Sequence, residues 1–265
     1  MTEQQYRRQW LKWHKGYESI VYRKLMKYFR NINIPFDMLT VDNYTTLINP
    51  KEDELLKVYV DFYKEVGIIH AKRVDKDIKK QTKDFTSFLT EFERTIITWL
   101  YENSLTRIRS VSGEYVDYIR QLIVKGIEEN KTISEITTEL KNLLTSRNFY
   151  RYQAMRIART ETTAAANHAS IVVSETSNLV YDKVWISSND ARTRRIPKAK
   201  FDHASMNMVK VPVKEFFNVP SKLGSERLLF AGDPKGSAGN VINCRCANVL
   251  RPRRDADGRL VRKIV

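Results

Sequence analysis

The chain has 265 residues, 42% hydrophobic and 29% charged, so it can bury a core as one large or two small domains. This composition excludes collagen-like, low-complexity and fully disordered chains, and no apolar run approaches the ~18 residues of a membrane-spanning helix. Two cysteines exclude a disulfide framework, and the first residues show no apolar signal-peptide region, so we expect a reducing compartment and no membrane partner.

The net charge of +15 is concentrated at the two ends of the chain. Basic and acidic side chains number 8 and 2 in residues 1–30, 20 and 21 in residues 31–180, and 18 and 8 in residues 181–265. Charge separated in this way is typical of contact with an anionic partner near both ends. Ordinary solvated surface charge is the alternative that composition leaves open.

Residues 1–34 are predicted to form a basic amphipathic helical arm. Apolar and aromatic residues recur there at spacings of three and four, and most basic residues fall outside that stripe. We expect the aromatic face to pack on the rest of the chain, with docking on a partner protein as the alternative. The residues predicted to contact DNA phosphates at the two ends are Arg7, Arg8, Lys12, Lys15, Arg251, Arg253 and Arg254.

A helical body is predicted over residues 35–180. Apolar residues return at helical spacing from Leu55 onward. Thr132 and Glu135 have the spacing of a capping box, in which each side chain accepts from the other residue's backbone N–H, so a helix is predicted to begin there. A further helix is predicted from about residue 148 to residue 174.

The pattern changes to short apolar runs after residue 180. The run YDKVWIS predicts a strand with Val184 and Ile186 on one face and Trp185 on the other. The run NVINCRCANVL predicts a second strand, in which Cys244 and Cys246 share a face.

These runs define a small α+β module, residues 181–252, that ends in the NCRC strand, and residues 253–265 form a basic tail. The predicted fold class is therefore α+β, with a mainly α-helical N-terminal body followed by a small mixed or β-rich C-terminal module.

Two clusters carry side chains capable of acid–base or metal chemistry. Glu161 and His168 share a helix face and form either a proton-transfer pair or a buried hydrogen-bonded pair; we favour the latter, because nothing nearby completes a catalytic set. Asp190, Asp202 and His203 have ligand types that suit a divalent metal, although such loops are also ordinary turn sequence.

The two cysteines leave a choice between a metal site and inert thiols. Two thiolates on one face suit zinc together with His203, but the sequence shows no fourth ligand and the cysteine spacing is shorter than in most structural zinc sites. Buried cysteines also serve as small apolar residues. We expect no cofactor, with zinc on Cys244, Cys246 and His203 as the alternative.

Four motifs occur in a distinctive order: the capping-box helix, IARTETTAAANHA, WISSNDARTR with the later His203, and GDPKGSAGNVINCRC. This order resembles the phage Mu F-like head morphogenesis domain, found in minor head proteins of tailed phages and prophages. The resemblance covers about residues 115–250, and its most specific part is Asn-Cys-Arg-Cys after a Gly-Asp-Pro loop.

The resemblance implies a structural protein rather than an enzyme. It implies a location in the virion, inside the capsid, and in the host cytoplasm during assembly. The implied partners are the portal or major capsid protein and, without sequence specificity, double-stranded DNA. The alternatives are an enzyme, such as a nucleotide-dependent transferase or a nuclease, that uses the motif residues, and a non-specific nucleic-acid-binding protein.

We expect the motif residues to form a polar network that joins the long helix to the small module, because buried charges need partners. Its predicted members are Arg159, Thr160, Glu161, Asn167, Trp185, Asp190, Arg192, Arg194, His203, Asp233, Asn243 and Arg245.

Overall fold

The computed structural model describes residues 2–31, 52–82 and 120–263, with six further positions between 94 and 103. Its described helices and strands are, in chain order, α1 (Glu3–Asn31), α2 (Glu52–Thr82), α3 (Ile133–Thr145), α4 (Arg147–Thr176), β1 (Tyr181–Ile186), β2 (Lys210–Pro212), β3 (Phe217–Ser221), β4 (Gly224–Leu228), α5 (Ala238–Val241) and β5 (Ala247–Pro252). Another helical segment is described at 120–128.

Long helices precede a small antiparallel sheet module, so the predicted α+β class is confirmed. Much of the predicted body 35–180, including most of residues 83–119, lies outside the described residues. No described helix combines the length and apolar composition that crossing a membrane requires.

The helix α4 is the centre of the structure, and its residues 160–174 are buried throughout. Small side chains such as Ala158 and Ala165 let α1 and α2 approach it closely, because they add little bulk between the helix backbones. The capping box that precedes α4 is present at the start of α3, where Thr132 Oγ1 accepts from the Glu135 backbone N–H at 3.3 Å.

The aromatic face of α1 is covered by the chain itself. Trp10, Tyr17 and Leu25 are buried in a core shared with α2 and α4. Trp13 is partly buried, and the guanidinium carbon of Arg73 lies 5.0 Å from the centre of its ring. The expectation that this face packs on the chain is confirmed, and it is not left exposed for a partner.

The three-stranded sheet separates the helices from the rest of the module. Its order is β2-β1-β5, with β1 antiparallel to both neighbours. Val184 and Ile186 face the helical core, whereas Trp185 packs with Phe217 and Leu228 of the β3–β4 hairpin. The predicted division of β1 into two faces is therefore confirmed, and both faces are covered.

The NCRC sequence is a turn rather than the predicted strand, because β5 begins only at Ala247. The short α5 ends just before it, and Asn243 then takes a left-handed conformation with φ of 58°. Asparagine adopts this conformation more readily than most residues, and a strand cannot run through it.

The basic tail folds back beside the start of β1. The Arg253 N–H donates to the Val180 carbonyl at 2.8 Å, and the Val180 N–H donates to the Val261 carbonyl at 2.9 Å. Residues 253–263 thus extend the hydrogen-bonded framework of the module.

Candidate functional site

The face of α4 that meets the module carries three polar side chains at helical spacing, Thr160, Thr163 and Asn167; we call this contact the seam. The Asn243 backbone N–H donates to Thr160 Oγ1 at 3.0 Å. Thr163 Oγ1 donates to the Cys244 carbonyl. These bonds satisfy main-chain groups of the NCRC turn, in which Cys244 is buried.

Asn167 completes the seam with both ends of its amide. Its Nδ2 donates to the carbonyls of Ala231, at 2.7 Å, and Cys246, at 3.0 Å, while its Oδ1 accepts from the Asn248 N–H at 2.9 Å. One fully buried side chain therefore joins the helix to the Gly-Asp-Pro loop and to β5.

The Gly-Asp-Pro loop approaches α4 too closely for a side chain at Gly232. A Cβ at this position would lie 2.8 Å from Thr163 Cγ2, and the backbone φ of 81° also favours glycine. Asp233 shapes the loop, because its carboxylate accepts from the backbone N–H groups of Leu229 and Lys235 at 2.8 and 3.0 Å.

The start of α1 also holds the module. Trp10 Nε1 donates to the Arg245 carbonyl at 2.8 Å, and Arg7 Nε donates to the Ser187 carbonyl at 3.0 Å. Arg7 also pairs with Glu3. The guanidinium is thus engaged inside the chain, and the DNA contact expected of Arg7 stays a prediction.

The predicted network is divided between two locations. Arg159 and Glu161 contact the N-terminal helices, with Arg159 Nε 3.8 Å from a Glu18 carboxylate oxygen and Glu161 Oε2 accepting from Tyr63 at 2.6 Å. The seam is instead built by the neutral residues Thr160 and Asn167, with Thr163 in addition.

The Asp-x-Arg-x-Arg loop joins the NCRC turn through two arginines. Arg245 donates to Asp190 Oδ2 at 2.5 Å, and Arg194 donates to the Ile242 carbonyl at 2.5 Å. Burial alone would raise the pKa of the Asp190 carboxyl, but the Arg245 guanidinium outweighs it and holds the pKa below its usual value. Arg192 is exposed, and only its backbone N–H bonds to Asp190.

The expected Glu161–His168 pair does not form, because the two side chains have different partners. His168 stacks on Trp99 with ring centres 3.8 Å apart, and Phe230 lies beside it. Its Nδ1 has no hydrogen-bond partner among the described residues. Burial lowers the pKa of His168 to about 3, so the ring is neutral and acts as an aromatic core residue.

His203, Cys244 and Cys246 form a buried cluster, which we call the thiol pocket. Each cysteine Sγ lies 3.6 Å from His203 Nδ1, and the three possible ligand atoms are all within 4.8 Å of one another. The hydrogen bond between the two cysteine side chains lowers the pKa of the Cys244 thiol. The same hydrogen bond, together with burial, raises the pKa of the Cys246 thiol.

The carboxylates that the sequence grouped with His203 lie in other contacts. Asp190 pairs with Arg245, and Asp202 accepts from the Ser205 backbone N–H at 2.9 Å. The metal site of two carboxylates and one imidazole that the sequence suggested for Asp190, Asp202 and His203 is therefore not assembled, and the two cysteines lie beside His203 instead.

Sequence reasoning missed several residues that complete these contacts. Thr163 follows Thr160 by three positions, so helical spacing alone could have placed it on the seam. Three further residues gave no such signal, because each bonds to a residue far away in the chain. Tyr63 bonds to Glu161, 98 residues away; Asn240 bonds to His203, 37 residues away; and His14 bonds to Thr163, 149 residues away.

The fold and these contacts define an α+β domain whose polar motif residues mainly hold a helix to a sheet module. Residues 117–249 match the family described as Phage Mu protein F like protein, which is about half of the chain. The chain belongs to this family, so the resemblance over residues 115–250 is confirmed. Membership indicates a phage head morphogenesis protein. No curated protein and no solved structure matched the chain.

Proposed function

We propose that this chain is a minor head protein that acts inside the capsid during head morphogenesis and contacts the portal or major capsid protein and packaged DNA. The observation that carries the proposal is the family match over residues 117–249. The seam supports a structural role, since Thr160 and Asn167 bind the protein's own backbone rather than facing a cleft.

A basic stripe on α1 supports the contact with DNA. The cationic residues on the exposed side of this helix follow one another mostly at spacings of three, four and eight: Arg8, Lys12, Lys15, Arg23, Lys27 and Arg30. At 1.5 Å per residue this stripe is about 33 Å long. A row of cations on one helix face neutralises phosphates without reading bases, which suits DNA of any sequence.

The acidic residues of α1 do not oppose this stripe. Glu3 pairs with Arg7, and Glu18 lies 3.4 Å from His14 and 3.8 Å from Arg159. Both carboxylates are partly buried, so the exposed surface of α1 carries positive charge alone.

The C-terminal arginines make a weaker case for DNA contact. Arg253 pairs with Asp182 at 2.6 Å, and Arg254 donates to the Gly258 carbonyl at 2.7 Å. Their guanidinium groups are already partnered within the module, whereas the stripe on α1 faces solvent. The proposal therefore places the DNA contact at the N-terminal helix.

The test is a quantitative protein inventory of particles from the phage or induced prophage that encodes the chain. Procapsids, full heads and empty heads are purified and compared by mass spectrometry. The proposal predicts that the chain is present in procapsids and full heads at a fixed ratio to the portal protein. Its absence from every particle type, while the portal is detected, would contradict the proposal.

A further inference from the structure

We infer that His203, Cys244 and Cys246 bind one zinc ion, which ties the loop after β1 to the turn before β5. The cluster draws its ligands from two segments that are 41 residues apart in sequence and are buried together beneath the sheet. Binding displaces the two thiol protons to solvent and leaves a neutral centre of one Zn²⁺ and two thiolates.

The spacing of the ligand atoms fits zinc. Tetrahedral coordination with Zn–S near 2.3 Å and Zn–N near 2.0–2.1 Å requires about 3.6 Å between the nitrogen and each sulfur. His203 Nδ1 lies 3.6 Å from Cys244 Sγ and 3.6 Å from Cys246 Sγ. The two nitrogen–sulfur distances therefore match two edges of a coordination tetrahedron, and the two sulfurs lie within 4.8 Å of each other.

The imidazole is held in the tautomer that a metal needs. The Glu226 carboxylate accepts from Asn240 Nδ2 at 2.7 Å, which directs the amide oxygen of Asn240 toward the histidine. That oxygen lies 2.6 Å from His203 Nε2, so Nε2 carries the proton. The lone pair of Nδ1 is left pointing at the two sulfurs. Metal-binding histidines are oriented by such partners.

Burial disfavours a thiolate at Cys246, but two N–H donors at its sulfur act in the opposite direction. The backbone N–H of Ser188 and the indole N–H of Trp185 face its sulfur. Trp185 is fully buried, and its Nε1 has no conventional hydrogen-bond partner among the described residues. A metal-bound sulfur, which keeps its negative charge, gives this N–H an acceptor in an otherwise apolar environment.

The fourth ligand is assigned to water. Within the described ranges, the group of possible ligands contains no further histidine, cysteine or carboxylate. Three protein ligands with two sulfurs and one nitrogen, completed by a water molecule, is an established zinc coordination. Two neutral thiols would give His203 Nδ1 and the Trp185 indole N–H only weak sulfur partners, whereas zinc and a metal-bound thiolate are stronger ones.

The experiment uses the whole purified protein under reducing conditions. Metal content is measured by elemental mass spectrometry, and the chelated protein is then titrated with Co²⁺. We expect one zinc per chain and a thiolate-to-cobalt charge-transfer band that saturates at one equivalent. Because Cys244 and Cys246 are the only cysteines of the chain, that band can arise only from the thiol pocket.

The double variant C244S/C246S should lose the zinc and the charge-transfer band. Asn240→Ala leaves the three ligands in place but frees the histidine ring, so it should weaken Co²⁺ binding while keeping the band. Folded, reduced wild-type protein that gives no band would overturn the inference. So would a double variant that stays folded by circular dichroism and still holds one zinc per chain.

Discussion

Buried histidines show how a single residue ties the stability of this protein to pH. His70 contacts Tyr17 and Ser170 through its two ring nitrogens at 3.2 and 3.1 Å, and His168 stacks on Trp99. Burial lowers the pKa of each imidazole from 6.5 to about 3. Both rings are therefore neutral in the folded protein at a pH where the unfolded chain protonates them.

The sign of the effect follows from proton binding. Between pH 6.5 and about 3 the unfolded chain binds a proton at His168 and the folded chain does not. The contribution of each buried, neutral histidine to the free energy of unfolding is thus complete above pH 6.5. It is lost as the pH falls, at about 1.4 kcal/mol per pH unit for each histidine. We predict that His168→Phe, which preserves the stack on Trp99, makes the pH dependence shallower by about this amount.

Urea unfolding of both proteins between pH 8 and pH 5 measures this difference. The variant keeps His70, so a residual loss of stability toward low pH should remain in it. Parallel curves for wild type and His168→Phe would show that His168 is protonated equally in the folded and unfolded states, contrary to its burial.

At the scale of single residues, the sequence predicted which side chains share a helix face better than it predicted which residues they contact. Glu161 and His168 share a helix, which helical spacing reveals, but their partners Tyr63 and Trp99 come from other segments of the chain. Spacing along one helix gives the direction of a side chain and not the identity of the element that covers it. The pairing of Glu161 with His168 failed for that reason.

The junction of α4 with the sheet module is the feature that most defines the fold at the scale of elements. Its bonds run from side chains of one helix to main-chain groups of two loops and β5. A backbone group buried without a partner costs about 1–3 kcal/mol, so such a junction tolerates little change.

We predict that Asn167→Ala lowers the free energy of unfolding by about 3 kcal/mol or more. The substitution leaves the carbonyls of Ala231 and Cys246 and the N–H of Asn248 without this partner in a buried environment. Asn218→Ala is the matched control, because Asn218 is exposed on β3, and it should change stability by less than about 0.5 kcal/mol.

Chemical denaturation with a fluorescence readout measures both variants against the wild type. The distinguishing outcome is a large loss for Asn167→Ala and a small one for Asn218→Ala. Equal effects would mean that the seam adds nothing specific to the packing of α4 against the module.

Elements with strong local signals were predicted well, and those set by long-range contacts were not. The capping box at Thr132 and the two faces of β1 depend on neighbouring residues, and both are present. The NCRC turn depends on Thr160 and Thr163, about 80 residues earlier, which bond the backbone at Asn243 and Cys244. The alternation of side chains therefore predicted that the strand includes the NCRC sequence, whereas β5 begins only after it, at Ala247.

The molecule as a whole separates two kinds of basic residue. Those near the module, such as Arg194, Arg245 and Arg253, are engaged with carbonyls and carboxylates of the chain. Those of the α1 stripe face solvent. The sequence showed an excess of charge at both ends, and the packing of the chain shows which of these basic residues already have partners within it.

We predict that reversing three charges of the stripe, in R8E/K12E/K15E, weakens binding to double-stranded DNA and lowers its salt dependence. Each phosphate contact contributes about 0.9 to the slope of log K against log salt, so losing three should reduce the slope by about 2.7. Fluorescence anisotropy with a short duplex, measured over a series of salt concentrations, gives both quantities.

The control is K198E/K222E/K235E, which lowers the net charge by the same amount at exposed lysines of the module. If the stripe is the DNA-binding surface, the control keeps the wild-type slope and loses affinity only through the weaker overall field. If both variants lose the same slope, the attraction belongs to the net charge of +15 rather than to α1, and the placement of DNA at the N-terminal helix is wrong.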